Sequence, residues 1–229
     1  MANVIKIKKG LDINLKGKAS DVLLNGGKSD TYAIVPDYYN GIVPKVVAKV
    51  GEKVKAGSVL MIDKNRPEIK FVSPVSGEVT AVNRGEKRKV LSVVVKPEAQ
   101  VEYEDFGKKN VASLKREEVK EAIQQAGMWP FIKQRPYDIV ASPADEPRDI
   151  FVSAFYSAPL APNFDFIVKG QEADFQAGLD ALAKLTDGKV YVGIRKGSSV
   201  SVKGVETVEV EGPHPAANVG VQILSLIHI

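Results

Sequence analysis

Residues 46–95 read VVAKVGEKVKAGSVLMIDKNRPEIKFVSPVSGEVTAVNRGEKRKVLSVVV, and this stretch decides the fold of the chain. Its two halves share one pattern: a β-branched run, a glycine, a second short run and another glycine. Between the glycines Val alternates with polar residues, which indicates half-buried strands, and a glycine at each reversal is typical of tight turns. A series of such hairpins folded on itself predicts a small β-sandwich or barrel.

The segment VGEKVKAGSVL at 50–60, with SPVSGEV at 73–79, resembles the biotinyl/lipoyl-type barrel-sandwich hybrid module. In that family a lysine that carries a swinging cofactor lies on an exposed hairpin between the two halves, and Lys64 falls near that place. The hairpin at 63–70 is longer than a carrier tip and contains a proline and further charged residues. We interpret Lys64 as a solvated loop lysine, and a lipoyl- or biotin-type carrier domain modified on Lys64 is the alternative function.

Composition places the chain among ordinary globular proteins and excludes several kinds of site. Its 229 residues predict two domains, and 26% charged residues beside 44% hydrophobic ones are not a disordered composition. The chain has no cysteine and only two histidines, so thiolate zinc sites and cysteine-ligated iron–sulfur clusters within it are excluded.

The lysines are interspersed and aromatic residues are few, which predicts no nucleic-acid partner. No run of ~18–20 apolar residues occurs, so we expect no direct membrane span, and the N-terminus shows no secretory signal.

The order of patterns along the chain predicts two structural modules. Residues 1–24 contain two short strand patterns around Gly10, and residues 25–100 form the barrel-sandwich module. A polar linker follows, and a Rossmann-like α/β domain is predicted over residues 112–221.

Three segments support the α/β assignment. Ser113 is a plausible N-cap for a helix that ends near Ala126. A nearly continuous apolar run at 150–155 is typical of a buried parallel strand. It is followed by an amphipathic helix over 172–185 and by strands at 189–194 and 208–210, which together make a βαβ unit.

A nucleotide site in such a domain needs a glycine-rich turn before a helix, because backbone N–H groups must approach the phosphates. After the strand at 150–155 the chain has Pro159 and Pro162, which remove donors and block close approach. The glycine-dense segment 192–199 matches neither the dinucleotide nor the P-loop spacing, so we interpret it as a strand-end loop, with anion binding as the alternative. Ser153 and Ser157 have no nucleophile-elbow context. We therefore predict no catalytic, cofactor-binding or metal-ligating residues in this chain.

His214 is the one isolated polar residue with unusual neighbours, since Pro213 and Pro215 flank it and stiffen the backbone. One interpretation is a hydrogen-bonded histidine in a rigid loop at a strand end. The other is a proton-carrying or ligand-contacting histidine at the carboxyl edge of a sheet. The single tryptophan, Trp129, is interpreted as a packing anchor.

Five further blocks, taken in order, resemble the NqrA subunit of the bacterial sodium-translocating NADH:quinone oxidoreductases (Nqr). These blocks are IKIKKGLDI at 5–13, NRGEKR at 83–88, QRPY at 134–137, FYSAPLAP at 155–162 and GPHPA at 212–216. The resemblance covers nearly the whole chain to about Val221. Each block alone is weakly specific, and their joint order is what identifies the family.

The resemblance implies a peripheral subunit of a respiratory sodium pump on the cytoplasmic face of the bacterial inner membrane. It implies association with the quinone-reducing end and with sodium transport, a possible contact with ubiquinone, and flavins and an iron–sulfur centre in partner subunits. The related flavin-binding subunits of complex I and of the Rnf complex carry a glycine-rich flavin loop after the first helix of the α/β domain. The corresponding residues here read AGMWPF at 126–131, so we expect no flavin in this chain.

The family continues beyond the end of this chain with a further β-rich domain and a helical region. Residues 222–229 read QILSLIHI, an apolar tail without polar closure. We expect this tail to be a truncated or non-native end, in which case His228 has no functional meaning.

Overall fold

The computed structural model describes residues 3–227, which contain short strands and four α-helices. The strands are β1 Asn3–Lys6, β2 Tyr32–Ile34, β3 Pro44–Val46, β4 Lys53–Val54, β5 Val59–Asp63, β6 Lys70–Val72, β7 Gly77–Arg84, β8 Val90–Pro97, β9 Lys133–Gln134, β10 Ile139–Val140, β11 Ile150–Ser153, β12 Val190–Arg195 and β13 Glu206–Glu211. The helices are α1 Arg116–Gln125, α2 Phe164–Val168, α3 Glu172–Ala183 and α4 Val219–Ile227.

The chain divides into two compact units. One unit, the barrel unit, contains Gly26–Asn110 and Leu114–Asp145. The other, the α/β unit, contains the N-terminal residues to Asn25, residues Val111–Ser113 and the residues from Glu146 onward.

The barrel unit is built on two antiparallel sheets, in the strand orders β2-β8-β7-β4 and β3-β5-β6. Alternation along the second half of β8 explains the burial, because Val93 and Val95 are buried while Lys96 is exposed. The core of the unit joins side chains of both sheets: Ala48, Val54, Leu60, Val79, Val90, Val93 and Val95. The predicted barrel-sandwich module is confirmed.

Residues 114–145 pack within the barrel unit. Trp129 is only 5% exposed and its indole Nε1 donates to the Ala141 carbonyl at 2.9 Å, as expected of a packing anchor. A Cβ at Gly127 would meet the side chain of Val72 in β6. This contact lies within the barrel unit.

The predicted N-cap of the first helix is wrong. Ser113 lies in a 3-10 turn over Val111–Ser113, and α1 begins at Arg116. The carboxylate of Glu118 accepts a hydrogen bond from Lys115 N at 2.7 Å, which satisfies an N–H at that position. A glutamate three residues into a helix can therefore fix its start where no Ser, Thr, Asp or Asn is available.

The α/β unit is built on a parallel sheet in the order β1-β13-β12-β11. Leu179 of α3 packs against Val190, Val192 and Ile194, which lie on one face of β12. α4 covers the opposite face of the sheet, where Gln222 lies over Gly193 of β12. Helices therefore cover both faces of the sheet. Strands β11 and β12 are apolar along most of their length, as the pattern at 150–155 indicated, whereas β13 alternates Glu or Thr with Val.

Only one of the two predicted N-terminal strands forms. β1 pairs in parallel with β13, from Asn3 opposite Val208 to Lys6 opposite Glu211. Residues 11–15 form no strand, and the second strand prediction is wrong. Their backbone instead follows the loop after β13, since Leu11 N donates to the carbonyl of His214 at 2.9 Å.

Between residues 3 and 227 there is no helix with both the length and the apolar character that crossing a bilayer requires.

Candidate functional site

The carboxyl ends of the four parallel strands meet at one edge of the sheet in the α/β unit, where open α/β sheets commonly bind ligands. The loop after β11 holds Ser157, and the loop after β13 holds His214. These two loops lie side by side, although 57 residues separate the two side chains in sequence. The edge therefore assembles polar groups that sequence spacing does not connect.

Ser157 and His214 form a direct side-chain pair. The hydroxyl Oγ of Ser157 is 3.1 Å from Nδ1 of His214, and the tautomer of the imidazole sets which of them donates. The same Oγ accepts a hydrogen bond from Ala217 N at 3.0 Å. The imidazole is exposed, so its ring is open to solvent or a ligand while Ser157 orients it.

The backbone of His214 is held by the N-terminal segment. Asp12 accepts a hydrogen bond from His214 N at 2.8 Å through Oδ1. Asp12 and His214 are 202 residues apart, and no local pattern in the sequence connects them. The structure therefore shows a hydrogen-bonded histidine in a constrained loop, with its ring exposed at the carboxyl edge, and the ligand-contacting or proton-carrying role stays a prediction.

A buried polar network lies beneath this pair. Gln222 of α4 is 3% exposed, and its Nε2 donates to Ser153 Oγ at 3.1 Å and to the Ala216 carbonyl at 3.2 Å. Ser153 Oγ in turn donates to the Ala217 carbonyl at 2.7 Å. These bonds fix the loop that carries His214 against the end of β11.

Gln222 lies in the segment that the sequence presents as an apolar tail. Its amide is nevertheless paired inside the α/β unit. His228 lies outside the described residues.

Two cations, Arg195 and Lys196, lie at the same edge of the sheet. Arg195, at the end of β12, donates from Nη2 to the Tyr156 carbonyl at 3.2 Å. Lys196 pairs with Glu211 at 2.7 Å. That hydrogen bond raises the pKa of Lys196 and lowers the pKa of Glu211. An exposed imidazole beside a hydroxyl can exchange a proton with a bound ligand or contact its oxygen atoms.

The glycine-dense loop after β12 already binds a carboxylate. Asp165 accepts from Ser198 Oγ at 2.7 Å and from Ser199 N at 2.8 Å. Burial raises the pKa of Asp165, but the hydrogen bonds from these two serines outweigh that effect and lower it. The donors that a phosphate would need are therefore occupied by a side chain of the same chain.

The hairpin that holds Lys64 is tied to the barrel unit. Asp63 is 1% exposed, and its carboxylate accepts from Arg66 Nε at 2.7 Å and from Val43 N at 3.1 Å. Arg66 also donates to the carbonyls of Gly41 and Val140. Lys64 is exposed, but its backbone N–H donates to Val43 O at 2.7 Å. It lies on an anchored hairpin, the geometry expected of a solvated loop lysine.

No three His, Asp or Glu side chains in the described range 3–227 are grouped as a metal site would require.

Two family models match the chain. The model described as the NqrA N-terminal barrel-sandwich hybrid domain matches residues 5–98. The model described as the NqrA second alpha/beta domain matches residues 114–229. The domain types agree with the two kinds of sheet seen in the structure.

Curated relatives carry the same subunit name. The NqrA subunit of the Na(+)-translocating NADH-quinone reductase of Vibrio atlanticus is 41% identical over 223 residues, covering 95% of this chain. The corresponding subunits of Vibrio vulnificus and Neisseria meningitidis are 40% and 36% identical, over 95% and 96% of this chain. The chain spans about half the length of these relatives, since each alignment covers 50% of the relative. Because the second of the two family models matches half of the chain by itself, the chain belongs to the NqrA family of Na+-translocating NADH-quinone reductase subunits.

Proposed function

We propose that this chain acts as part of the NqrA subunit of a respiratory Na+-translocating NADH:quinone oxidoreductase. Family membership and the printed names of the curated relatives support this function. In this proposal the subunit is peripheral, on the cytoplasmic face of the bacterial inner membrane. It docks on membrane subunits that carry the flavins and the iron–sulfur centre, and it contributes binding surface at the quinone-reducing end.

We also propose that this chain binds no flavin. The residues between β11 and α2 support this, because they offer few free backbone N–H groups to a phosphate. Pro159 and Pro162 offer no backbone N–H to a phosphate. Asn163 accepts through Oδ1 from Asp165 N at 3.1 Å, so a donor at the start of α2 is already used. A flavin phosphate here would lose hydration without replacement hydrogen bonds, at roughly 1–3 kcal/mol for each unpaired group.

A titration with flavin mononucleotide tests this part. We expect the purified chain to be colourless and to leave flavin fluorescence unquenched at micromolar concentrations. Titration with riboflavin, which lacks the phosphate, is the matched control for contacts to the ring alone. Saturable quenching at micromolar affinity by the phosphorylated flavin would show that the subunit carries a redox group of its own.

Within this function we assign His214 the role of a ligand-contacting or proton-carrying residue. The exposed ring is oriented by Ser157 at 3.1 Å, and Arg195 donates to the carbonyl of the adjacent Tyr156, at the edge where ligands of parallel sheets bind. A quinone presents carbonyl oxygens that accept hydrogen bonds and take up protons on reduction, and an imidazole can serve both steps.

The test is His214→Gln in the full-length subunit, assembled with its partner subunits. Glutamine keeps a hydrogen-bonding side chain but does not carry a proton at neutral pH, so a proton-carrying role predicts that kcat falls by roughly 10²-fold or more. A ligand-contacting role alone predicts a higher KM for quinone at similar kcat. Asp174→Asn, at an exposed position of α3, is the control. Unchanged kcat and KM in a normally assembled complex would remove His214 from the site.

A further inference from the structure

The hairpin between β7 and β8 closes through a turn of unusual sequence. Lys89 N donates to Glu86 O at 3.0 Å, so Lys87 and Arg88 are the two central residues. Both are left-handed, with φ of 52° at Lys87 and 62° at Arg88. Two-residue hairpin turns with two left-handed residues strongly favour Asn-Gly or Asp-Gly.

A lysine and an arginine therefore occupy positions that disfavour them. A side chain in the left-handed region is strained, because its Cβ crowds the backbone. Substitutions that relieve such strain are among the easily available stabilising changes. Strained residues concentrate at sites where their side chains are used, so the turn is a candidate for a function that requires these two cations.

The turn presents unpaired positive charge. Arg84, Lys87 and Arg88 are exposed, and within the described part of the chain none of the three forms an ion pair with a carboxylate. Arg84 donates from Nη1 to the Arg88 carbonyl at 3.1 Å, which ties the start of the turn to its end. The neighbouring Lys89 is engaged with Asp37 at 2.7 Å. Three cations thus lie at one hairpin end beside a single exposed carboxylate of that turn, Glu86, so the turn keeps an excess of positive charge.

Apolar surface adjoins these charges. Leu91 is 42% exposed on the same hairpin, and it contacts Gly85, where a Cβ would approach it at 3.3 Å. The Lys89–Asp37 pair places the 3-10 turn Pro36–Tyr38 beside the hairpin, and Tyr38 is 77% exposed. Arginine and tyrosine are the residue types enriched at the energetic centres of protein interfaces.

We propose that this basic tip, defined as Arg84, Lys87, Arg88, Tyr38 and Leu91, docks onto a carboxylate-rich surface of a partner protein. The proposal rests on the proposed function, in which the chain assembles with other subunits of the same complex. Guanidinium groups bind carboxylates through paired hydrogen bonds of fixed geometry, and Leu91 and Tyr38 supply the apolar contact that excludes water around them.

A protein surface fits these observations better than an anionic bilayer. Segments that bind acidic lipids carry clusters of four to eight cations, and the basic tip has three that are unpaired. Lipid headgroups in a fluid bilayer rearrange around any pattern of cations. A strained turn that fixes the positions of the cations would therefore not strengthen binding to lipid. A folded partner with fixed carboxylates does require that geometry, because preorganised donors lose less entropy on binding.

Two double variants separate charge from strain. Lys87→Asn with Arg88→Gly removes both charges and supplies the favoured turn residues, so we expect Tm to rise by about 2–4 °C. Lys87→Gln with Arg88→Gln removes the charges and keeps the left-handed side chains. The control is Lys108→Gln with Lys109→Gln, which removes two exposed charges away from the basic tip. These lysines follow Phe106, which lies against Gly57 near β4. β4 pairs with the start of β7, and the basic tip lies at the other end of β7.

The binding assay adds each full-length variant to the detergent-solubilised complex that lacks NqrA. We expect both tip variants to bind roughly tenfold or more weakly than the wild type, with a shallower salt dependence, while the control matches the wild type. Equal affinities for all four proteins would overturn the proposal. A wild-type NqrA that does not bind the complex at all would instead reject the proposed function.

Cross-linking identifies the partner group directly. A zero-length carbodiimide joins the Lys87 amine to a carboxylate only where the two are in contact, and peptide mass spectrometry locates the linkage. We expect a link from Lys87 to an Asp or Glu of another subunit in the assembled complex. A Lys87 that stays unlinked there, together with charge-dependent binding of free NqrA to phosphatidylglycerol vesicles, would replace the protein partner by a lipid surface.

Discussion

The side chain of Gln222 in α4 lies directly over the backbone of Gly193 in β12, and a Cβ at position 193 would overlap the amide of Gln222. The φ of Gly193 is not in the left-handed region, so its backbone conformation does not call for glycine. The reason for a glycine at this position is instead the close approach of the Gln222 side chain. The contact lets the buried amide reach Ser153 and the Ala216 carbonyl, which fixes the loop of His214. A residue without a side chain thus controls the position of the candidate site.

Gly193→Ala should destabilise the protein by about 1–3 kcal/mol, because the displaced amide leaves buried partners unpaired. Urea denaturation measures the change. Gly178→Ala in α3 is the matched control, since nothing lies within 4 Å of a Cβ there. Alanine in a helix should add up to about 1 kcal/mol of stability. A neutral Gly193→Ala would mean that Gln222 can leave its site without cost.

Arg66→Gln should destabilise the protein by about 3 kcal/mol. The guanidinium is the cationic partner of Asp63, which is 1% exposed, and its loss leaves a buried carboxylate without a counter-charge. Thermal or urea denaturation checks this value.

Lys89→Gln is the control for that change, because it also breaks an ion pair of 2.7 Å. Both partners of that pair are more than half exposed, so the cost should stay below about 1 kcal/mol. If the two variants lose equal stability, burial of Asp63 is not what makes the Arg66 pair important.

Asp149 should make stability depend on pH in the acid range. Its carboxylate accepts from Lys189 N at 2.9 Å, and this bond, aided by Arg148, lowers the pKa below the ordinary value of 3.8. A carboxyl whose pKa is lower in the folded state stabilises the fold above the unfolded value. That contribution is lost as the pH falls through the folded pKa.

Asp149→Asn removes this contribution, so its free energy of unfolding should fall less steeply than that of the wild type below about pH 4. At neutral pH the variant should be about 1 kcal/mol less stable than the wild type. Urea midpoints between pH 7 and pH 3 provide the measurement. Asp30→Asn, at an exposed carboxylate, is the comparison and should keep the wild-type profile. An unchanged acid slope in Asp149→Asn would contradict the assignment.

Ser157→Ala should change the tautomer balance of His214, since the hydroxyl 3.1 Å from Nδ1 is lost. The variant also leaves Ala217 N without its acceptor, which predicts a loss of about 1–2 kcal/mol. Nitrogen-15 NMR reads the tautomer directly. The chain has only two histidines, so His214→Gln assigns the signals. Identical imidazole shifts in wild type and Ser157→Ala would show that the pair does not form in solution.

The two kinds of sheet and the packing role of Trp129 could be predicted from the amino-acid sequence. These follow from local rules: strict alternation with glycines at 51, 57, 77 and 85 can bury only one face of short strands. The continuous apolar run at 150–155 requires cover on both faces. Such patterns act over a few residues, and the chain displays them directly.

Which distant polar groups meet depends on the folded topology and could not be predicted from the sequence. Asp12 reaches His214 because β1 joins the sheet beside β13, a pairing between the two ends of the described chain. Gln222 becomes a buried amide because α4 covers the face that carries Gly193, although its neighbours in sequence are apolar. Asp165 takes the donors of the loop after β12 because α2 lies beside that loop. Hydrogen bonds act over about 3 Å in space, so the topology of the sheet determines which side chains form the site.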